Sequence, residues 1–186
     1  PELTSPYAFF QFWLNADDRD VPVLLRTFSF RAQDEVDALI AATAERPHER
    51  AAQRALAEEL TQLVHGDGEM RGAAAAGQVL FGQGELADVP LDSLSAALLE
   101  TPHVRLEATD IEDGSLPAVD ELMERCGLVE SKGAARRAVK EGGAYVNNVR
   151  VVDPSQRPTT DDLVQGRWLV LRRGKRTVGG VLVELT

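Results

Sequence analysis

Residues 116–153 read LPAVDELMERCGLVESKGAARRAVKEGGAYVNNVRVVD, and three local patterns follow one another within them. The first places Val119, Leu122, Met123 and Cys126 at the spacing of an amphipathic helix with one buried stripe, and Gly127 closes it. Ser131 then stands where an N-cap belongs, ahead of a second helix that runs to Glu141 and stops at the glycine pair 142 and 143. Beyond the glycines the period becomes that of strands. AYVNNVRVV is two β-rich runs around Asn147-Asn148, and asparagine tolerates the positive φ that a two-residue hairpin turn requires. Residues 166–185, GRWLVLRRGKRTVGGVLVEL, alternate into strands on either side of RRGKR, with Gly174 at the tip. These signals predict a small α+β domain over 116–186, two helices packed on a short antiparallel sheet.

Upstream, the pattern is helical. In LTSPYAFFQFWLN, Ser5 is an N-cap and Pro6 takes the first helical position, where its missing N–H costs nothing. Tyr7, Phe9, Phe10, Phe12 and Trp13 point nearly all round that helix, which predicts burial on several sides. Seven of the chain's ten aromatic residues precede residue 31, more than the alanine-rich helices that follow can cover, so a neighbouring domain is expected to complete the packing. DEVDALIAATAE turns Val36, Leu39, Ile40 and Thr43 to one side. ERAAQRALAEELTQLVHG does the same with Ala52, Leu56, Leu60, Leu63 and Val64, and ends at Gly66. FGQGELADVP reads as a loop, and Asp92 or Ser93 is placed to cap a short helix, LSAALLE. The expected organisation is a helical bundle over 1–100, a linker over 101–115 where TPHVRLEATDIEDGS shows little periodicity, and the small domain over 116–186. The fold class is α+β.

Charge divides along the same lines. Residues 1–115 carry 8 Lys and Arg against 21 Asp and Glu, whereas residues 116–186 carry 12 against 9, in a chain of formal net charge -10. Within 131–176 the count is 11 basic to 4 acidic. An asymmetry of this kind points the basic half alone at a polyanion. Lys132, Arg136 and Lys140 recur at i, i+4, i+8 with Arg137 beside them. Like charges at that spacing cost a helix a few tenths of a kcal/mol per pair, and the sequence offers little local acid to offset them beyond Glu141. Arg150 in the hairpin and Arg172, Arg173, Lys175 and Arg176 around the distal turn extend the same surface. Those nine side chains are the candidate phosphate contacts. Tyr145 and Trp168 lie in strands, where burial is their expected role rather than stacking on bases.

Other chemistries find no support in the residues. Cys126 is the single cysteine and sits on an apolar helix face, so neither a disulfide framework nor a thiolate nucleophile is expected. His48, His65 and His103 are too scattered for a metal site. GQGEL and EGG lack the strand–loop–helix setting of a phosphate-cradling loop, and the acids Asp17, Asp18 and Asp20 are explained by the dipole of a helix start. No run approaches the ~20 apolar residues of a membrane span, and PELTSPYAFF lacks the form of a secretory signal. A cytoplasmic location with no membrane partner is expected.

Residues 116–153 resemble the small RNA-binding domain named after ribosomal small-subunit protein four, through the Ser-Lys-Gly-Ala-Ala-Arg-Arg helix and the Gly-x-x-Val-Asn hairpin. With LTSPYAFFQFWLNADDRDVPVLLRTFSF, AAQRALAEELTQLVHG, LFGQG and GRWLVLRRGKRTVGGV in that order, nearly the whole chain is similar to the carboxy-terminal half of bacterial tyrosyl-tRNA synthetase. The resemblance implies a class I enzyme, a tyrosine–tRNA ligase that activates tyrosine with ATP and Mg²⁺ and works as a homodimer. It also implies that the helical and basic domains hold the anticodon arm and long variable arm of tyrosine tRNA. No His-Ile-Gly-His-like or Lys-Met-Ser-Lys-Ser-like segment occurs, so the chain is expected to be a carboxy-terminal fragment that cannot aminoacylate alone, with no catalytic residue, metal or cofactor of its own. Asn148 stands where the family often has glycine. The alternatives are a stand-alone structured-RNA-binding protein of the ribosome or stress response, and a protein-interaction module.

Overall fold

The computed structural model describes residues 4–184, and among them eight α-helices and a mixed five-stranded sheet form an α+β fold. Two compact units divide between Ala75 and Ala76, inside helix α5 (Asp67–Leu80), rather than at the expected boundary near residue 100.

The first unit is helical. Helix α1 (Pro6–Leu14) begins as its sequence dictates, with Ser5 Oγ accepting from the Ala8 N–H at 3.1 Å and Pro6 leading. Tyr7, Phe10 and Trp13 are buried, mainly against α4 (Ala51–His65), while Phe12 stays 69% exposed, so the all-round burial expected for this helix is only partly met among the described residues. Arg50 adopts a left-handed conformation (φ 49°) at the start of α4 and donates to the Leu14 and Ala16 carbonyls, closing the C-terminus of α1. Helices α2 (Val21–Phe28) and α3 (Gln33–Glu45) pack on α4 as well. Ala52, Leu56 and Leu60 are inward as predicted, but Leu63 and Val64 are exposed. Gly66 ends α4 with φ 92°.

The second unit is built on the sheet, whose order is β1-β5-β4-β2-β3. Strands β2 (Ala144–Val146), β3 (Val149–Arg150), β4 (Trp168–Arg173) and β5 (Thr177–Glu184) are antiparallel neighbours, as expected. The segment read as a linker supplies a fifth strand. β1 (His103–Glu107) pairs in parallel with β5, His103 opposite Gly180, which makes the sheet mixed rather than purely antiparallel. Its two inward apolar side chains, Val104 and Leu106, are too few to show periodicity.

Helices α7 (Val119–Arg125) and α8 (Lys132–Lys140) pack together over a core containing Leu122, Met123, Ala135, Leu169, Leu171 and Val181. Cys126 belongs to it, and burial pushes its thiol pKa up to about 12. Helix α6 (Leu91–Leu99) starts after Pro90 without a side-chain cap, so neither Asp92 nor Ser93 takes the expected capping role. Ser95 on this helix receives a hydrogen bond from Trp168 Nε1 at 2.8 Å. Glycines 179 and 180 let neighbours meet β5: a Cβ would stand 2.6 Å from Cys126 Sγ at Gly179 and 2.8 Å from Trp168 Cζ3 at Gly180.

Candidate nucleic-acid interface

Helix α8 is positioned by signals inside it. Ser131 Oγ accepts from the Ala134 N–H, Ala135, Ala138 and Val139 turn to the core, and Gly142 (φ 75°) allows the chain to leave into β2. Lys132, Arg136, Arg137 and Lys140 therefore face solvent.

The tertiary structure supplies acids that the local sequence lacks. Arg136 Nε donates to Asp120 Oδ2 at 2.8 Å, and Lys132 Nζ to Glu121 Oε2 at 2.8 Å. Both acids lie in the first turn of α7. Asp120 is 4% exposed, so Arg136 serves as counter-ion to a buried carboxylate, and the Glu121 carboxylate raises the pKa of Lys132. The expectation of little acid beyond Glu141 to offset the stripe is thereby corrected: Lys132 and Arg136 are answered across a helix–helix contact, and Lys140 has no acid partner among the described residues.

The remaining cations gather where α8 runs into the sheet. The Arg150 guanidinium lies on Gly142, where a Cβ would collide with it. The Gly174 N–H donates to the Gly143 carbonyl at 2.7 Å, which fastens the β4–β5 turn, with Arg173, Lys175 and Arg176, beside the end of α8. Lys140, Arg150, Lys175 and Arg176 are exposed and make no ion pair among the described residues, and neither does Arg137. Arg173 Nη1 donates to the Leu128 carbonyl at 3.3 Å and is otherwise exposed.

Arg172 is placed differently. Tyr145 stands opposite Arg150 on one side and Arg172 on the other, so the three share a face of the sheet. Arg172 Cζ lies 4.0 Å from the Tyr145 ring centroid, and its Nη1 donates to the Gly174 carbonyl at 3.0 Å. The half-buried Arg172 braces the turn and the tyrosine more than it presents charge. Trp168 is buried, as its strand position led us to expect.

The hairpin asparagines do more than turn the chain. Both have positive φ, 46° at Asn147 and 65° at Asn148. Asn147 Oδ1 accepts from the Val170 N–H at 2.9 Å, extending the ladder to β4, and Asn148 Nδ2 donates to the Val79 carbonyl at 2.7 Å. Glycine at 148 would make the turn and lose that bond. Asp120, Glu121, Asn147 and Asn148 were not candidates from sequence; the signal for the first two was their place in the first turn of a helix followed closely by a cationic one. Among the described residues, no group of three or more His, Cys, Asp or Glu side chains is arranged to hold a metal, and no helix is long and apolar enough to cross a membrane.

The described residues thus comprise a helical unit and a sheet-containing unit with a cationic edge. Residues 1–82 match the family model described as tRNA synthetases class I (W and Y), and residues 99–178 match that of the tyrosine–tRNA ligase SYY-like C-terminal domain. The chain belongs to the bacterial-type tyrosyl-tRNA synthetase family and corresponds to its carboxy-terminal half. It is 58% identical to the tyrosine–tRNA ligase of Thermobifida fusca over 99% of this chain and 42% of that one. Identity to the Streptomyces coelicolor ligase is 55% over 97% and 41%, and to the Nocardia farcinica ligase 48% over 98% and 42%. The chain thus spans about 42% of the length of the curated relatives it matches. A solved, C-terminally truncated mitochondrial tyrosyl-tRNA synthetase of Aspergillus nidulans is 29% identical over 41% of this chain and 22% of its own, with a TM-score of 0.39.

Proposed function

We propose that this chain recognises tRNA, and tyrosine tRNA in particular, for a tyrosine–tRNA ligase that activates tyrosine with ATP and Mg²⁺ in a part of the family's fold outside these residues. The observation that carries the reading is the convergence of Lys140, Arg150, Arg173, Lys175 and Arg176 at the glycine-lined end of α8, with no ion pair among the described residues to neutralise them. A row of exposed cations on a rigid edge suits backbone phosphates, which fix position and orientation on a folded RNA. The long variable arm is the element assigned to this edge. The anticodon arm is assigned to the helical unit, where a groove of about 690 Å³ is bordered by Arg31, His48 and Arg54 together with Glu49 and Glu58. Contacts of this kind lie far from the chemistry, and their binding energy serves to orient the acceptor end for transfer. The whole ligase works as a homodimer in the cytoplasm, and these residues bring no cofactor or catalytic group to it.

Fluorescence anisotropy of the chain with tyrosine tRNA, with the same tRNA lacking its variable arm, and with an unrelated tRNA, each across a salt series, tests this reading. Tighter binding of intact tyrosine tRNA is expected, with a salt slope that counts phosphate contacts. Equal affinity for all three refutes recognition of the variable arm and of tyrosine tRNA by these residues, and no binding to any refutes RNA binding itself.

A further inference from the structure

The acids beside α8 are arranged in a way that charge neutralisation does not require. Asp120 is 4% exposed, whereas the Arg136 side chain keeps 63% of its surface in solvent. The contact uses Nε, at 2.8 Å, and no other hydrogen bond of this guanidinium is made among the described residues. A guanidinium held at Nε keeps its opposite edge, Nη1 and Nη2, for a second partner, and that edge matches two oxygens of a phosphate. The carboxylate that holds it is itself anchored: the Asp120 N–H donates to the Pro154 carbonyl at 3.0 Å, and the residue lies in the first turn of α7. Glu121, next in sequence, makes the corresponding contact to Lys132 one helical turn earlier on α8.

We propose that Asp120 is a positioning residue for RNA binding: it holds the Arg136 guanidinium with its two-nitrogen edge outward for a bidentate contact to a backbone phosphate. This rests on the reading that the cationic face of the second unit binds RNA. A free arginine loses rotamer freedom when it grips a phosphate; Arg136 loses that freedom in folding, so binding meets a smaller entropic cost. The two possible roles of Asp120 predict opposite signs. An acid that merely cancels charge repels phosphate, and its removal tightens binding. An acid that orients the arginine strengthens binding, and its removal weakens it.

The experiment measures tyrosine-tRNA affinity by anisotropy for the whole chain as wild type, Asp120→Asn, Arg136→Ala, the double variant and Arg136→Lys, at a temperature where circular dichroism shows each folded. Asp120→Asn is expected to weaken binding by about three- to tenfold, the cost of ordering one long side chain. In the Arg136→Ala background it is expected to change nothing. Arg136→Lys keeps the charge and the partner but lacks the fork, and is expected to weaken binding by a similar factor; it decides the matter if Asp120→Asn does not fold. Unchanged or tighter binding by Asp120→Asn, an equal loss in the absence of Arg136, or wild-type affinity in Arg136→Lys overturns the proposal while leaving RNA binding intact. Failure of the wild type to bind any RNA removes the underlying reading and this proposal with it.

Discussion

Arg136 and Lys140 sit one turn apart on the same face of α8, yet their replacement by alanine is expected to give different results. Arg136 pairs with Asp120, which is 4% exposed, and Lys140 has no ion-pair partner among the described residues. Removing one partner of a fully buried ion pair costs about 3–5 kcal/mol. The Arg136 side chain is 63% exposed, so water replaces part of what is lost, and discounting for that screening leaves about 1–2 kcal/mol. Lys140→Ala, an exposed change away from any partner, should fall within about 0.5 kcal/mol of wild type. For RNA, each substitution removes one phosphate contact and should flatten the plot of log affinity against log salt by ~0.7 to ~0.9. Urea denaturation followed by circular dichroism gives the first pair of numbers and anisotropy across a salt series the second. Equal stability of the two variants would show that Asp120 does not depend on Arg136. An unchanged salt slope in Lys140→Ala would remove the end of α8 from the interface.

Two further outcomes test the scaffold. Gly179→Ala would bring a methyl group to 2.6 Å from Cys126 Sγ and 2.7 Å from the Pro102 carbonyl oxygen, one of them backbone; overpacking of this kind should lower stability by about 1–3 kcal/mol, and a denaturation midpoint equal to wild type would contradict the packing of α7 on β5. Asp110 accepts from the Glu107 N–H and pairs with Arg125, and these hold its carboxyl below the usual value of 3.8. A depressed carboxylate contributes stability that is present above the unfolded value, about pH 4, and is lost as pH falls through the folded one. Asp110→Asn should therefore show a shallower loss of stability than wild type on acidification below about pH 4, and parallel acid profiles of the two proteins would show that the carboxylate is not coupled to folding.

Features whose causes lie within a few residues of one another are legible in the sequence. Ser5 and Ser131 accept from their N3 amides, Gly66 and Gly127 end their helices with positive φ, and Asn147-Asn148 makes the two-residue turn of the hairpin. The recurrence of cations on α8 and around Gly174 marks the surface as well. Two apolar side chains at 104 and 106 are not enough to distinguish a strand from a linker, because what makes β1 a strand is a partner at Gly180, far along the chain. The unit boundary is hidden for the related reason that α5 continues through it without a break in its local pattern.

The sequence by itself determined helices such as α1, α4, α7 and α8, the Ser5 and Ser131 caps, the hairpin and the basic character of residues 116–186, since propensity, periodicity and net charge are properties of short stretches and of counts. Only the tertiary structure decided which cations meet an acid and which have none beside them among the described residues. Whether Arg136 meets Asp120, or Arg150 lies against Gly142, depends on how two elements approach each other, and a Coulomb interaction or a close contact a few ångströms long has no signature in residues that are far apart in the chain.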